Sequence, residues 1–558
     1  MQFDQTPAGL PQLVGAVGVL SGLAIHHALF IHGEWHVHAP EIARYYGLLV
    51  AVSALAQSLP GNLGTTARAE AAAGGLGLLT LGHLLGLATS ILVYRLFFHR
   101  LNKARLPGPL WACVTKLGHI WECRESKNHM YLDKLFAKYG DFVRTGPAEV
   151  TVFVPESLLA VGGRQSDCVK AEFYDLLWPE RALFAARDKA MHAKRRRDWQ
   201  LGFSPSAIAH HEIKVFKHVD ELDRQLERIS KSGAVVDATD LLLWFTFDIM
   251  GDFTFSKSFG MLENQRWHDI TVKMKRARVL LGPLAPTPWL LQIGLKLLPR
   301  VWWVRDWYES VDWAQEQMTE RLSRGAKSGS VDGDVISDLS SYLMKKGPGD
   351  EVSPWLRGDS LLAILAGSEP TAQALAAIFH ELAMHPEHQE KLRQELGVLS
   401  TTDNKALAEL PHLNAVIQEA MRLHPSLITG GIRKTTEKGV MINDVFIPPH
   451  TTVVTPLYTI SRREDCFERG TEFIPERWTT HGDMVRNAAA HVPFSLGKYN
   501  CIGQQFAMRI MRYTISMVVK KYIFHHPPGY DGSEMETNKV DRFTSFPGRV
   551  PLCFSLRD

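Results

Sequence analysis

The chain has 558 residues, 45% of them hydrophobic and 22% charged, with a net charge of +3. That is enough apolar content for a large core, and too little positive charge to make nucleic acid a partner. Six scattered cysteines (Cys113, Cys123, Cys168, Cys466, Cys501 and Cys553), none in a CxxC pair, speak against a disulfide framework and a zinc site and fit a reducing compartment.

Three apolar stretches open the chain. Residues 12–32 and 71–94 contain no Lys, Arg, Asp or Glu, and each reaches the length of about 20 residues that crosses a bilayer as a helix. Residues 45–59 are shorter, with Pro60 next, and read either as a third span or as a buried or interfacial hairpin. Residues 1–11 carry Asp4 and no Lys or Arg, so the basic start of a cleaved signal peptide is missing. Arg95, Arg100, Lys103 and Arg105 follow the last stretch and predict a cytoplasmic exit; three spans then put the N-terminus in the lumen. Leu106-Pro107-Gly108-Pro109 is a stiff break. It divides a membrane anchor, 1–105, from a single soluble domain, 106–558, in which no internal repeat is found.

Within that domain helical patterns dominate. Val143–Val154 reads as two short strands around a Gly-Pro turn. Residues 327–349, rich in Gly, Ser, Asp and Lys, read as exposed loop. A long helix is predicted from Ser353-Pro354 through Leu361–Ala383, with Ser as cap and Pro in the first turn. Another covers about 406–423 and stops before Pro425. Residues 432–457 have the β-branched runs and turn residues of a small sheet, and 501–522 form a final long helix. The fold class is mostly α with small β sheets.

Four motifs carry chemistry. Phe494-Ser-Leu-Gly-Lys-Tyr-Asn-Cys-Ile-Gly503 lies just before the last helix. A Cys501 thiolate there would meet the free N–H groups and positive dipole end of a helix, and Gly497 and Gly503 allow tight turns and close approach of a flat cofactor. Glu419 and Arg422 are i and i+3 on one helix face, with Arg477 downstream in Pro-Glu-Arg-Trp478. His192 and Arg196 are i and i+4 in a basic helix, where Lys194, Arg195 and Arg197 read as surface charge and a docking face for an acidic partner. Ala366-Gly-Ser-Glu-Pro-Thr371 sits in the middle of the long helix. Pro370 cannot donate to the Ala366 carbonyl, so the helix is expected to open or kink there.

Taken in order, these motifs resemble the cytochrome P-450 monooxygenases, and the Gly-Lys-Tyr-Asn-Cys loop looks like the fungal, membrane-bound members. The segment Phe245–Gly260 also looks like those members. The resemblance implies the cytochrome P-450 fold and heme b, with its iron bound axially by Cys501 within the loop of Phe494, Gly497 and Gly503. It implies His192 and Arg196 as propionate partners, and a buried structural network of Glu419, Arg422 and Arg477. The family's usual Arg two residues before the cysteine is Tyr499 here, with Lys498 beside it; either is a candidate for the propionate contact. On the distal side it implies that Gly367 leaves room for oxygen and that Glu369 and Thr371 deliver protons, although Pro370 stands where the family carries Thr.

The activity implied is oxidation of a lipophilic small molecule, in fungal specialised metabolism, with O2 and electrons from NADPH-cytochrome P-450 reductase at the endoplasmic reticulum membrane. No GxGxxG fingerprint follows a strand, so the reductase is a separate protein. Pocket walls are expected from 173–184, 280–291, the helix near Ile364 and 427–431. Two other readings stand beside this one: a haem-thiolate isomerase, dehydratase or peroxygenase that needs no external electrons, and a non-enzymatic haem-binding sensor or scaffold.

Overall fold

The computed structural model describes residues 10–58, 67–327, 339, 343 and 354–557. The expected loop at 327–349 and the Ser353 cap therefore lie almost wholly outside the described residues.

Three helices open the described chain: α1 (Leu10–Ile25), α2 (Ala39–Ser58) and α3 (Ala67–Val93). α1 and α3 run parallel, in contact through glycines. A Cβ on Gly18 or Gly22 would strike the backbone at Leu79–Gly82 or His83–Leu87, and one on Gly82 or Gly86 would strike the α1 backbone at Gly15 or Val19. Two G-x-x-x-G faces thus let the backbones approach. Ser21 Oγ meets His83 Nδ1 at 2.8 Å, and His26 Nδ1 meets Ser90 Oγ at 2.7 Å. α2 runs the other way: Tyr46 reaches His83, and Gln57 lies against Gly77. Two parallel neighbours need a return path between them, and α2 is that path.

Residues 11–30 and 70–102 are long and apolar enough to cross a membrane, with mean hydropathies of 1.8 and 1.9 and only 17% and 22% of the apolar window buried. Residues 355–384 also pass by length and apolarity, but 72% of that window is buried inside the protein. That helix is a core element.

After two short helices (Leu117–Glu122 and Asn128–Tyr139) come the strands β1 (Phe142–Gly146) and β2 (Glu149–Val152), which turn at Pro147-Ala148, one residue later than the expected Gly-Pro turn. They join β3 (Val169–Lys170), β5 (Ile432–Lys434) and β6 (Thr452–Val454) in a five-stranded sheet of order β1-β2-β6-β5-β3. Only β2 and β6 pair in parallel, Glu149 opposite Thr452. A three-stranded sheet has β10 (Pro551–Leu556) between β4 (Val236–Asp237) and β7 (Tyr522–His525), and β8 (Val540–Arg542) pairs with β9 (Thr544–Phe546) as a hairpin.

The helical body comprises α4 (Lys189–Gly202), α5 (Pro205–Ser232), α6 (Ala238–Phe255), α7 (Asp269–Ala277), α8 (Pro288–Leu297), α9 (Trp302–Lys327), α10 (Pro354–Met384), α11 (Pro411–Leu423) and α12 (Gln504–Lys521). α10 runs through the main core, which includes Phe245 and Phe253 of α6, Leu375 and Phe379 of α10, and Val416 and Val518 from the last two helices.

Three boundaries differ from the sequence reading. The helix expected over 406–423 is two helices, Asn404–Glu409 and α11, because Pro411 lacks an N–H and excludes Leu410 from helical geometry. The last helix starts at Gln504, since 501–503 stay in the loop. α10 does not open at Pro370; it is helical without a break from Pro354 to Met384. The Ser426 hydroxyl donates to the Pro370 carbonyl at 3.0 Å, supporting the turn from outside.

Candidate active site

A cavity of about 420 Å³ lies between α10 and the cysteine loop, lined by Ala366, Gly367 and Thr371 on one side and Phe494, Cys501 and Gly503 on the other. The loop reaches this position through strained backbone. Ser495 has φ of +58° and Gly497 of +65°. A Cβ on Gly497 would collide with the Gly162 carbonyl, so both the left-handed conformation and the close approach demand glycine. A Cβ on Gly503 would meet only Phe203 and the Cys501 sulfur, at ordinary contact distance; the room it leaves adjoins the cavity. The Cys501 N–H donates to Phe494 O at 2.8 Å and closes the loop.

The Cys501 side chain opens onto the cavity. Burial by the surrounding protein pushes its thiol up, while the N–H groups of Gly503 and Gln504 and the charge of Arg196 pull the other way. These are the donors expected at a helix N-terminus. Arg196 comes from α4 and binds Asn500 twice, Nη1 to the carbonyl at 2.8 Å and Nη2 to Oδ1 at 2.7 Å. It therefore fixes the residue next to the cysteine.

At the cavity rim Tyr499 is a hub. The His192 ring lies 4.7 Å away edge-on, Lys170 Nζ is 4.9 Å from the Tyr499 ring and Arg433 Cζ is 5.0 Å. Lys170, Arg196 and Arg433 all line the cavity, and among the described residues none has a carboxylate partner. Arg433 Nε and the Tyr499 hydroxyl have no partner of any kind there. Burial, then Lys170, Arg196 and Arg433, push His192 down to about 3, so its ring is neutral at pH 7. Burial and the Arg433 and Arg196 charges push Lys170 well below its ordinary value.

An apolar slot with a thiol facing it and three basic side chains lacking anions, two of them buried, suits one ligand type: a flat macrocycle with a soft metal and carboxylate arms. The residues present fit a haem.

Lys498 is exposed, on the outer face of the loop near Asp167 and away from the cavity lining. Lys170 and Arg433, which sequence reasoning missed, occupy the rim instead. Their signal was slight: single cations within short β-rich segments. Arg195 also departs from its surface reading. Its Nε donates to the buried Asp359 of α10 at 2.5 Å, whereas Lys194 and Arg197 are exposed as expected.

On the distal side, Gly367 lines the cavity, and a Cβ there would run into the Met250 side chain of α6. A larger residue there would make the Met250 side chain shift. The Thr371 hydroxyl donates to Gly367 O at 2.9 Å and Ser368 to Ile364 O at 2.6 Å, so both are turned back on their own helix. Glu369 is buried and paired with Arg278, which follows α7. Pocket residues come from all the expected segments, including Phe184, Leu281 and Leu427, although Ile364 itself is core; Trp307 and Phe543 are additional.

Behind the loop the expected network is complete. Glu419 accepts from Arg422 Nη2 at 2.8 Å, Arg477 Nε at 2.9 Å and Trp478 Nε1 at 2.8 Å, with both arginine side chains and the carboxylate fully buried.

Residues 106–554 match the family model for cytochrome P450. The chain belongs to the cytochrome P450 family. Its P450 relatives include the cytochrome P450 monooxygenase notG' of Aspergillus versicolor, 32% identical over 98% of this chain and 97% of that protein. The tryprostatin B 6-hydroxylase of Neosartorya fischeri is 33% identical over 97% and 98%. The cytochrome P450 monooxygenase phqL of Penicillium fellutanum is 32% identical over 97% and 94%. This P450 is a monooxygenase, and its family implies a haem-thiolate iron cofactor, O2 and a small-molecule substrate.

Proposed function

We propose that Cys501 is the thiolate ligand of a b-type haem, and that the protein hydroxylates a lipophilic small molecule in specialised metabolism. The observation that carries this is the Cys501 side chain open to the cavity, with Lys170 and Arg433 at its rim unmatched by any carboxylate among the described residues. The haem, when bound, supplies the activation of O2. Lys170, Arg433 and the Tyr499 hydroxyl bind the propionates, with neutral His192 beside them. Arg196 positions Asn500 and so the cysteine. Phe494, Gly497 and Gly503 shape the loop. Glu369 and Thr371 serve the proton route; the Thr371 hydroxyl takes part by releasing its bond to Gly367 O. Relatives named tryprostatin B 6-hydroxylases support hydroxylation as the outcome.

Electrons come from NADPH through a separate reductase that docks on the basic face including Lys194 and Arg197. Residues 1–105 are the membrane anchor and 106–558 the catalytic domain, on the cytoplasmic face of the endoplasmic reticulum. Parallel α1 and α3 with α2 as the return path support three spans and a luminal N-terminus. Two features favour the cytoplasmic side for the catalytic domain: the basic exit after α3, and the turn after α1, which touches that domain. In that turn Glu34 binds Arg187 at 2.6 Å and Lys434 at 2.6 Å, and His36 meets Asp175 at 2.7 Å.

The reduced, carbon-monoxide-bound spectrum of wild type and Cys501→Ala tests this reading. The wild type should show the red-shifted Soret band of thiolate ligation and the variant should not; the band persisting in the variant overturns the ligand assignment. Product formed without NADPH and reductase would replace monooxygenation by an electron-independent reaction.

A further inference from the structure

The cavity holds a second polar group, away from the rim. Arg278 is buried and paired with Glu369 of α10, whose other oxygen, Oε2, accepts from the Thr544 hydroxyl at 3.1 Å. Both carboxylate oxygens are therefore engaged. Arg542, the last residue of β8, lines the same cavity. The two guanidinium carbons lie 4.9 Å (Arg278) and 5.5 Å (Arg542) from the centroid of one ring, Phe546.

Among the described residues Arg542 has no carboxylate partner, and its Nε is buried with no hydrogen-bond partner. Its charge is felt next door: burial first, and Arg542 second, push Arg278 down to about 9. Two guanidinium groups thus share one ring while only one of them has a carboxylate, in a cavity whose lining is largely apolar, Leu281, Phe184 and Leu362 among it. A guanidinium is always charged and presents a planar fork of donors, which a carboxylate matches with two charge-assisted bonds. Leaving such a group unmatched in a largely buried wall is costly.

We infer that Arg542 is the recognition group for an anionic head on the substrate, and that the substrate is a lipophilic carboxylic acid. This rests on the proposed reading of the cavity as the substrate pocket. The carboxylate completes the cluster, making two negative groups against Arg278 and Arg542. The apolar body packs against the apolar lining of the same cavity, Leu281 and Leu362 included, and oxidation falls on a carbon of that body.

The test is a spin-state titration of the ferric holoenzyme with matched pairs: tetradecanoate, 4-phenylbutyrate and indole-3-butyrate, each against its methyl ester. At least one acid should bind about tenfold or more tighter than its ester, the worth of one charge-assisted hydrogen bond. Arg542→Gln should bring that acid down to its ester and leave the ester unchanged. Glu369→Gln, which frees Arg278, should tighten the acid further. If no acid in the panel outbinds its ester, or if Arg542→Gln weakens acid and ester alike, the inference is overturned. The reduced carbon-monoxide spectrum of each variant separates the two levels. Loss of the thiolate band in wild type defeats the haem reading, whereas an intact band without acid selectivity defeats this inference alone.

Discussion

A buried charge is tolerated only where its partners are already in place, and Glu419 is held in that way by two arginines, an indole N–H and the Ile474 N–H. Arg477→Met should cost about 3–5 kcal/mol in thermal or denaturant unfolding of the haem-loaded protein, because it strands that carboxylate. A loss near zero would mean that Arg422 alone suffices. Asp541 shows the opposite situation, a carboxyl pushed up by burial to about 6 from an ordinary 3.8, with only Thr429, the Phe543 N–H and Asn128 to help its charged form. The folded state therefore holds this proton more tightly than the unfolded chain. Its stabilising contribution is complete below pH 3.8 and is lost as pH rises through about 6. Asp541→Asn should abolish that fall, so the stability difference between wild type and variant should shift by about 3 kcal/mol between these pH values. A difference that does not vary with pH would show that the carboxyl is not protonated in the fold. At this scale legibility followed spacing. Glu419 and Arg422 share a helix face by arithmetic, whereas Lys170 and Arg433 reach Tyr499 only because β3 and β5 are paired across more than 260 residues of chain.

At the scale of elements, local chemistry set most boundaries. The long helix α10 forms over Leu361–Ala383 where the sequence places it, and the two short strands expected around Pro147 pair antiparallel. Prolines also account for two departures. Pro411 divides a helix that periodicity alone would run together, while Pro370 leaves α10 helical because the core holds it on nearly every side and Ser426 takes the Pro370 carbonyl. The glycines of α1 and α3 carry a meaning that hydropathy hides. They are contact faces, since Gly22 would clash with the His83–Leu87 backbone and Gly86 with Val19 if either had a Cβ. A cysteine pair, Ser21→Cys with His83→Cys, should cross-link in membranes because the native side chains meet at 2.8 Å. Adding Gly86→Leu should abolish that cross-link while the carbon-monoxide spectrum of the catalytic domain persists. A cross-link that survives would show that the glycine contact does not hold the helices together.

For the whole molecule, the N-terminal helices and the body of the protein meet through charge. Although burial pushes its carboxyl up, Arg187 and Lys434 hold Glu34 down at about 2. The partners are themselves tied into the body of the protein: Arg187 also binds Asp175 at 2.5 Å, and Gln292 of α8 donates to the Asp175 carbonyl at 2.9 Å. Nothing in the hydropathy of residues 12–32 announced that their exit turn would seat there. By itself the sequence determined the mostly helical domain, the cysteine loop and the Glu419 network, because each depends on residues close in the chain or on one ordered set of motifs. Only the tertiary structure decided which cations line the rim, that Glu369 is already paired, and that Arg542 has no carboxylate partner among the described residues. Those outcomes depend on which distant segments the packing brings together around one cavity, and the sum of charge within a cavity cannot be taken until its walls are known.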